Sequence, residues 1–451
     1  MASLAGMLRS RGVIVTGSDQ GIYPPMSLQL EALGIEARPF SEGNVIPAPD
    51  LVVIGNAVRR GNPEAEIVLD EKIPFVSMPE LLRREFLPGK RVTVVAGTHG
   101  KTTTTAMLAW ILSACGKRPS FLIGGVPQDF GASYGLGEGA DFVIEGDEYD
   151  TAFFDKGPKF MHYMPDTVVL NAVEFDHADI YPDLETVRLQ FRRLVNIIPR
   201  RGLLLARAND PGVQSVIGKA FCRVQAFGIG EGADWRAANL KHSGSGTSFD
   251  VLRGVEKVAQ VVQSLPGEFN VRNALAAIAA AAEAGVWPSE AAKALGEFKG
   301  VRRRQEVRGE VAGVLVVDDF AHHPTAIAET LRAVRLRYPG RRLWAILEPR
   351  SWSLRRNVFQ NRLAEAFDEA DRAVIAPVFR AEELQPAERL NVVRLIESLR
   401  ARGKDAQALP SVIEIVKHVA AEARSGDIVL VMSNGGFEGF HEKLLQALAR
   451  E

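Results

Sequence analysis

Short runs of β-branched and apolar residues alternate with helix-like segments along almost the whole chain, and this alternation restricts the fold more than any other feature. The run Arg91–Ala96 leads into the helix-like segment Thr102–Cys115, and Thr167–Leu170, Val314–Val317 and Ile428–Val431 repeat the strand pattern. Parallel strands need long crossover connections, which helices usually supply. The sequence therefore predicts an α/β fold with mostly parallel sheets.

The length predicts more than one domain. A chain of 451 residues exceeds what one hydrophobic core usually supports. We place one boundary near Leu87 and a second near Gly300, where the chain becomes charged and glycine-punctuated before a new series of strands and helices. The predicted domains are residues 1–87, 88–300 and 301–451.

Composition excludes several classes of protein. The formal net charge is −1, which does not favour electrostatic binding of nucleic acid or of an anionic membrane. The two cysteines, Cys115 and Cys222, cannot build a disulfide framework. Residues 1–12 lack a secretory signal, and no apolar run reaches the length of a membrane span. We expect a cytoplasmic protein, and the sequence does not indicate its oligomeric state.

A glycine-bearing turn joins the strand Arg91–Ala96 to the helix that follows it. Backbone N–H groups of such a turn and the helix N-terminus bind phosphate oxygens, with Lys101 near the β- and γ-phosphates and the Thr102 hydroxyl near Mg²⁺. Val95 stands where the strict Walker A pattern has glycine. A Gly-Lys-Thr sequence also occurs by chance in loops, but the strand before it and the helix after it favour a phosphate site. The predicted phosphate-loop residues are Gly97, Thr98, His99, Gly100, Lys101, Thr102 and Thr103.

Two polar clusters follow other predicted strands. The acidic run Glu145–Asp150 follows Phe142–Ile144, and Asp176 and His177 come shortly after Thr167–Leu170. Ligands of α/β sheets bind at the carboxyl ends of strands, and Mg²⁺ prefers oxygen ligands. Either cluster alone is more typical of a solvated turn. Together with a phosphate loop in the same sheet, they indicate a nucleotide and metal site.

These motifs, with the segment Asp318–Thr325, resemble the Mur ligases, which assemble peptidoglycan precursors from UDP-N-acetylmuramic acid. The similarity extends from about Ile14 to the C-terminus. It implies a UDP-sugar-binding N-terminal domain, a central ATP-binding ligase domain with a phosphate loop, and a Rossmann-like C-terminal domain that binds the peptide. It also implies ATP and Mg²⁺ as cofactors and an acyl phosphate intermediate.

The resemblance assigns roles to individual residues. Catalysis is implied for Lys101, Glu145, His177 and Arg304, metal binding for Thr102, Glu145 and His177, and ATP binding for the phosphate loop with Asn270, Asn273, Arg304, Asp319 and His323. Substrate contacts are implied for Asp19, Tyr23, Asn56, Glu148, Tyr149, Asp150, Arg350, Ser433 and Asn434. Alternatives remain for three features. The asparagines could cap the alanine-rich helix, Arg302–Arg304 could be a solvated charge run, and the His-His-Pro turn could be a simple loop.

The stretch Ala178–Pro199 has no lysine for carbamylation, and Gln190 lies in about that region, which resembles the branch of the family that acts directly on UDP-N-acetylmuramic acid. Within that branch, three further differences favour the ligase that recycles cell-wall peptide. Tyr149, the Glu348–Arg350 segment and the Ser433–Phe437 loop depart from the typical alanine-adding enzyme. The implied reaction joins UDP-N-acetylmuramate to L-alanyl-γ-D-glutamyl-meso-diaminopimelate. Arg350 could bind a peptide carboxylate, or it could be an ordinary surface arginine.

Two alternative functions remain at this stage. One is a ligase that adds free L-alanine to UDP-N-acetylmuramate, and the other is a regulator that binds nucleotide or UDP-sugar without catalysis. The combination of Lys101, Glu145, His177, Arg304 and Asp319 disfavours the regulator, because simple binding needs fewer of these groups.

The N-terminus departs from the family pattern. Ala2–Arg11 are predicted as the first helix, and Val13–Asp19 as the second strand with its acidic end. The family's first strand and glycine-rich turn do not precede them. We expect that an opening segment of roughly ten to fifteen residues is missing, and that affinity for the UDP-sugar is poor without its turn.

Overall fold

The computed structural model describes residues 1–22 and 26–450. The chain divides into two compact units. The first comprises Met1–Glu174, Glu185–Arg236 and Leu275–Ala294, and the second comprises Phe175–Leu184, Ala237–Ala274 and Leu295–Glu451. Among the described residues, no helix is both long enough and apolar enough to cross a bilayer.

The opening segment contains short strands and helices. Its elements are α1 (Ala2–Arg9), β1 (Gly17–Ser18), α2 (Met26–Ala32), β2 (Ala37–Arg38), β3 (Val52–Ile54), α3 (Pro63–Asp70), β4 (Phe75–Ser77) and α4 (Met78–Glu85). β1 pairs in parallel with β2, and β3 with β4. A small apolar core lies beneath β3 and α3, formed by Val45, Ile54, Val68 and Ile73.

The predicted first helix is confirmed in α1. The strand predicted over Val13–Asp19 forms only near its end, as β1 at Gly17–Ser18, and Val13–Val15 are not part of it. The side chains explain the difference, because Val13 is 44% exposed and Ile14 is 88% exposed. Apolar side chains stabilise a strand when they pack against an apolar surface. The exposed side chains of this run do not gain that stabilisation.

The middle of the chain carries the largest set of strands. Its elements are β5 (Arg91–Ala96), α5 (Lys101–Ala114), β6 (Ser120–Leu122), β7 (Tyr134–Gly135), β8 (Asp141–Gly146), β9 (Asp150–Ala152), β10 (Asp155–Pro158), β11 (Thr167–Leu170), α6 (Leu184–Asn196), β12 (Leu203–Arg207), α7 (Pro211–Ile217), β13 (Arg223–Ile229), β14 (Trp235–Ser243), β15 (Gly246–Arg253), β16 (Glu256–Gln263), α8 (Glu268–Glu283) and α9 (Pro288–Gly296).

The sheet of the first unit consists mainly of parallel strands. Their spatial order is β13, β12, β11, β5, β8 and β6, and β7 pairs with β6 in the antiparallel direction. The side chains of β8 and β11 are almost all buried, as expected for parallel strands covered on both faces. The C-terminal ends of β5, β8 and β11 are therefore neighbours, which brings together the segments that follow them.

The C-terminal part of the chain forms a six-stranded sheet with helices. Its elements are β17 (Glu306–Val311), β18 (Val314–Asp319), α10 (Pro324–Arg337), β19 (Leu343–Leu347), α11 (Trp352–Arg355), β20 (Arg372–Ile375), α12 (Val392–Ala401), β21 (Asp405–Ala408), α13 (Val412–Glu422), β22 (Ile428–Met432) and α14 (Phe440–Leu448). The strand order is β17, β18, β22, β19, β20 and β21, with β17 antiparallel to β18.

Alternating side chains of this sheet face two apolar cores. Leu315 and Val317 pack into one core with α10 and α12, whereas Val314 and Val316 pack into the other with α13 and α14. This period of two is the geometry of a strand covered on both faces. The predicted α/β architecture with mostly parallel sheets is confirmed.

Candidate active site

The phosphate loop lies in the first unit, directly between β5 and α5. Gly97 and Gly100 have backbone φ values of 122° and 78°, which residues other than glycine rarely adopt. A Cβ atom on Gly97 would lie 2.8 Å from both the backbone N and O of Ala172. The N–H of Thr98 donates to the Ala172 carbonyl over 2.9 Å. The loop is thus fixed against the end of β11 and leads directly into the N-terminus of α5, the end of a helix that favours an anion.

Lys101 is buried beside three acidic residues of the first unit. Its Nζ donates to the Gly97 carbonyl over 2.7 Å and lies 3.0 Å from Glu148 Oε2. Burial alone would lower the pKa of Lys101, but Glu148, Asp147 and Glu145 together raise it above its ordinary value. Lys101 therefore stays cationic. Glu148, expected among the substrate contacts, is itself buried and holds this lysine.

Thr102 and Glu145 present oxygen atoms to one another at the ends of α5 and β8. The Thr102 hydroxyl donates to Glu145 Oε1 over 2.9 Å, and the N–H of Gly124 donates to Oε2 over 2.7 Å. Burial, followed by the charge of Asp147, raises the pKa of Glu145. A hydroxyl and a carboxylate are hard oxygen donors, so this pair fits Mg²⁺ chemically. A cation there would also offset the cost of burying the carboxylate.

The remaining predicted residues of this unit lie around the same strand ends. The Thr98 hydroxyl accepts the Glu174 N–H over 2.9 Å, and His99 Nε2 lies 3.7 Å from Glu174 Oε1. Farther along, Lys159 Nζ lies 5.7 Å from the Tyr149 ring centre. Asp150 pairs with Lys156 over 2.6 Å.

The predicted UDP-sugar residues lie in the opening segment of the first unit. Asp19 follows β1, and its Oδ1 accepts the Gly21 N–H over 3.1 Å. Asn56 is exposed just after β3. Tyr23 lies outside the described residues.

His177 lies in the second unit, on a turn with a left-handed backbone. Its φ is 55°, and its own N–H donates to Asp176 Oδ1 over 2.8 Å. Asp176 Oδ2 lies 3.8 Å from His322 Nε2. Burial alone would raise the pKa of Asp176, but His177, His322, His323 and a hydrogen bond from Ser353 hold it well below its ordinary value. The turn therefore carries an ionised carboxylate directly before the imidazole.

Asp319 fixes the loop that carries Arg304, also in the second unit. Its carboxylate accepts the N–H of Gln305 over 2.9 Å and that of Ala321 over 2.8 Å. The Arg304 guanidinium stacks 4.9 Å from the centre of the Phe320 ring. Burial raises the pKa of Asp319 to about 6, against the opposing charge of Arg304. Arg304 is thus held by a defined structure and does not belong to a solvated charge run.

Both ring nitrogens of His323 have backbone partners. Nδ1 accepts the Thr325 N–H over 3.2 Å at the start of α10, and Nε2 lies 3.2 Å from the Phe175 carbonyl, where it can donate. The His-His-Pro turn is therefore more than a simple loop. The structure gives His323 a capping contact, whereas ATP contact remains a prediction for it.

Asn270 and Asn273 lie inside helix α8 and do not cap it. The Asn270 side chain donates to the Pro266 carbonyl over 2.8 Å, and the Asn273 amide lies 3.3 Å from Asn270 Oδ1. Both side chains are buried. The alternative that these amides cap the helix is not what the structure shows, because an N-cap side chain accepts hydrogen bonds from the first turn.

Arg350 belongs to a polar cluster at the carboxyl ends of β19 and β22. Its guanidinium stacks 3.8 Å from the centre of the Phe379 ring and pairs with Glu348 over 3.3 Å. The Ser433 hydroxyl donates to the other oxygen of Glu348. A Cβ atom on Gly435 would collide with the Arg350 side chain. Arg350 is therefore locked in one orientation, and it is not an ordinary surface arginine.

Hydrogen bonds from Arg303 hold the backbone of the Ser433–Gly435 loop. Arg303 donates to the Ser433 and Gly435 carbonyls, each over 2.7 Å, and its Nε lies 3.5 Å from buried Asp318. Asn434 is the middle residue of this loop. Arg303 and Phe379 are not among the site residues predicted from the sequence. Phe379 follows strand β20, and that position at a strand's carboxyl end was the available signal.

Comparison with known families matches three successive parts of the chain. Residues 1–86 match the model described as "Mur ligase family, catalytic domain", residues 95–281 match "Mur ligase middle domain", and residues 303–435 match "Mur ligase, glutamate ligase domain". One curated relative is the UDP-N-acetylmuramate–L-alanyl-gamma-D-glutamyl-meso-2,6-diaminoheptandioate ligase of Escherichia coli (strain K12). It is 46% identical, over 100% of this chain and 96% of the relative. The chain belongs to the Mur ligase family. The resemblance predicted from the motifs is confirmed.

Two further relatives separate the branches of the Mur ligases. A UDP-N-acetylmuramate–L-alanine ligase from Salinibacter ruber (strain DSM 13855 / M31) is 34% identical over 100% of this chain and 93% of the relative. A solved murein peptide ligase from Psychrobacter arcticus 273-4 is 40% identical, covers 100% of this chain and 97% of its own, and superposes with a TM-score of 0.76. By sequence identity, this Mur ligase is thus more similar to these two peptide-adding relatives than to the alanine-adding one.

Proposed function

We propose that this Mur ligase joins UDP-N-acetylmuramate to L-alanyl-γ-D-glutamyl-meso-diaminopimelate, with cleavage of ATP to ADP and phosphate. The observation that carries the proposal is the 46% identity over the full chain to a ligase named for that reaction. The alanine-adding relative is 34% identical over the same length. Such a ligase returns peptide recovered from old cell wall to peptidoglycan synthesis.

The reaction must first activate a carboxylate, which is a poor electrophile. The carboxylate of UDP-N-acetylmuramate attacks the γ-phosphorus of ATP, which gives an acyl phosphate and releases ADP. The amino group of the L-alanyl residue then attacks the acyl carbon, and phosphate leaves. Phosphoryl transfer depends mainly on positioning and on neutralisation of charge.

The phosphate loop supplies the first part of this neutralisation. Buried Lys101 keeps its proton and lies at the N-terminus of α5, where backbone N–H groups attract phosphate. Thr102 and Glu145 would hold a Mg²⁺, and His177 would hold a second one. When bound, Mg²⁺ offsets the negative charge of the phosphate oxygens. No lysine lies between residues 178 and 199, so carbamylated lysine does not contribute to the second metal from that helix.

The second unit offers further groups for ATP and for the peptide. Arg304 provides a cation whose loop is fixed by Asp319, and Asn270 and Asn273 provide amides for the adenine. Arg350 provides a planar guanidinium whose orientation is set by Phe379, Glu348 and the Gly435 backbone. A guanidinium in a fixed plane suits two-point binding of a carboxylate, and the tripeptide carries several.

The domain roles follow the same proposal. Residues 1–87 bind the UDP-sugar, with Asp19 and Asn56 as contact residues. Residues 88–300 bind ATP and carry out phosphoryl transfer, and residues 301–451 bind the peptide, with Ser433 and Asn434 beside Arg350. Tyr149 and Asp150 are proposed as further substrate contacts.

The experiment that tests the function is phosphate release from ATP with defined substrates. We expect release when ATP, Mg²⁺, UDP-N-acetylmuramate and the tripeptide are all present, and a rate at least tenfold lower when either the sugar or the peptide is omitted, as for a large loss of transition-state stabilisation. Release that does not depend on the peptide would contradict the ligase assignment. Absence of release with retained nucleotide binding would favour a non-catalytic regulator.

A further inference from the structure

A serine outside the predicted site residues holds the turn that carries His177. Ser353 lies in α11 and is 2% exposed. Its hydroxyl donates to Asp176 Oδ1 over 2.7 Å and accepts the backbone N–H of Ala178 over 3.2 Å. One hydroxyl therefore fixes the residues on both sides of His177, although 177 positions separate Ser353 from Asp176 in sequence.

The turn needs such support because its backbone is strained. His177 has a φ of 55°, a left-handed conformation that costs free energy for any residue with a Cβ atom. Such conformations persist where surrounding contacts determine them. Asp176 Oδ1 accepts both the His177 N–H and the Ser353 hydroxyl, so the local contact and the distant one meet on the same oxygen.

Neighbouring contacts hold the start of the same segment. His323 Nε2 lies 3.2 Å from the Phe175 carbonyl, and the Phe175 side chain packs against the apolar core formed by the C-terminal sheet with α10 and α12. These contacts fix where the segment begins. The two polar contacts of Ser353, by contrast, are with the residues directly before and after His177.

We propose that Ser353 is a positioning residue that sets the direction of the His177 imidazole. The inference rests on the proposed role of His177 as a ligand of the second Mg²⁺. A hydroxyl is suited to this position because it donates to the carboxylate and accepts from the amide at the same time. An alanine at position 353 can do neither.

The first test measures amide hydrogen exchange in the full chain without substrate or metal. In Ser353→Ala we expect the Ala178 amide to exchange about tenfold faster, because two hydrogen bonds that restrain the turn are lost. Ser353→Thr, which keeps the hydroxyl, should restore slow exchange. Ser351→Ala is the matched control, because Ser351 caps the same short helix through the Leu354 N–H but does not contact the turn. Equal Ala178 exchange in wild type and Ser353→Ala would overturn the proposal.

The second test separates positioning from a merely structural role. Ser353→Ala should raise the Mg²⁺ concentration for half-maximal ligation about tenfold, while the KM for UDP-N-acetylmuramate stays within about twofold, because the effect acts through a metal ligand. Faster exchange with an unchanged Mg²⁺ requirement would overturn the proposal. If Ser353→Thr unfolds at a lower temperature than wild type, it no longer serves as the variant that restores the contact. The exchange rate of the Ala178 amide in Ser353→Ala is then compared with that in Ser351→Ala. Amide exchange is measured without substrate, so it tests the role of Ser353 independently of the proposed reaction. Failure of the proposed reaction would be seen in the phosphate release of wild type.

Discussion

At the scale of single residues, buried charges define the chemistry of both units. Lys101 and Glu148 form an ion pair in which each side chain is almost fully buried. Asp319 is a buried carboxylate whose lone pairs are committed to backbone N–H groups. Removing one member of a buried ion pair leaves the charge of the other member uncompensated. Single substitutions at these positions therefore alter stability and activity together.

The ion pair of Lys101 gives a prediction with two separable effects. Lys101→Met should lower the ligation rate by about 10²–10³, the loss typical of a removed electrostatic stabiliser. It should also lower the free energy of unfolding by about 3–5 kcal/mol, because the buried carboxylate of Glu148 loses the charge of Lys101. The double variant Lys101→Met/Glu148→Gln should recover stability but not ligation. Lys417→Ala, on the exposed face of α13, is the control. Retention of more than about a tenth of wild-type turnover in Lys101→Met would refute the role.

Arg350 gives a prediction about specificity. Arg350→Ala should raise the tripeptide KM about tenfold to a hundredfold, since a hydrogen bond to a charged group contributes about 1.5–3 kcal/mol. The KM for ATP should not change. Arg402→Ala removes an exposed arginine that pairs with Asp368, and it should leave both values unchanged. An unchanged tripeptide KM in Arg350→Ala would remove this residue from the peptide site.

Asp319 gives a prediction about pH. Its folded-state pKa of about 6 lies above the ordinary value of an aspartate, so the folded chain holds this proton more tightly than the unfolded chain does. Stability from this group is therefore present at low pH and is lost as pH rises from about 4 to about 6, by up to about 3 kcal/mol. The melting temperature of wild type relative to Asp319→Asn should fall over that range and stay constant above it. Asp368→Asn should show no such fall, because Arg402 lowers the pKa of Asp368. A relative melting temperature independent of pH would contradict the account.

At the scale of elements, the sequence predicted strands better than the contacts between them. Arg91–Ala96 and Thr167–Leu170 are reproduced to the residue, because strands buried on both faces are continuous apolar runs. The phosphate loop was predictable because its glycines and lysine are adjacent in sequence. Ser353 and Phe379 were not, since their partners are distant along the chain and their residue types are common in ordinary loops. Of the strand predicted over Val13–Asp19, only Gly17–Ser18 form a strand, because the apolar residues Val13 and Ile14 are exposed.

The turn between β5 and α5 yields a prediction that distinguishes crowding from backbone strain. Gly97→Ala should abolish ATP binding and lower stability, because its Cβ would lie 2.8 Å from the Ala172 backbone at a φ of 122°. Gly116→Ala is the matched control, because Gly116 also has a positive φ, of 74°, but its Cβ would meet open space. The control should cost about 1–2 kcal/mol of stability and leave ATP affinity unchanged. ATP binding by Gly97→Ala at wild-type affinity would show that the loop does not need this close approach.

At the scale of the whole molecule, the three matched parts of the chain account for the proposed chemistry. The N-terminal part pairs short parallel strands, the middle part places the phosphate loop and Glu145 at neighbouring strand ends, and the C-terminal sheet presents Arg350 and the Ser433 loop. In each part, the proposed site residues follow the carboxyl ends of parallel strands, where such sheets bind ligands. The family alone does not select the amine that is added. The fixed guanidinium of Arg350 and the identity to the peptide-adding relative both favour the tripeptide.

The central claim is tested most directly by offering the candidate amines one at a time. Purified enzyme is incubated with ATP, Mg²⁺ and UDP-N-acetylmuramate, together with either L-alanine or L-alanyl-γ-D-glutamyl-meso-diaminopimelate, and the product is weighed by mass spectrometry. The account predicts UDP-N-acetylmuramoyl-tripeptide, with a kcat/KM for the tripeptide at least about a hundredfold above that for L-alanine, a difference of about 2.7 kcal/mol in transition-state binding. Equal or better use of free L-alanine would contradict it.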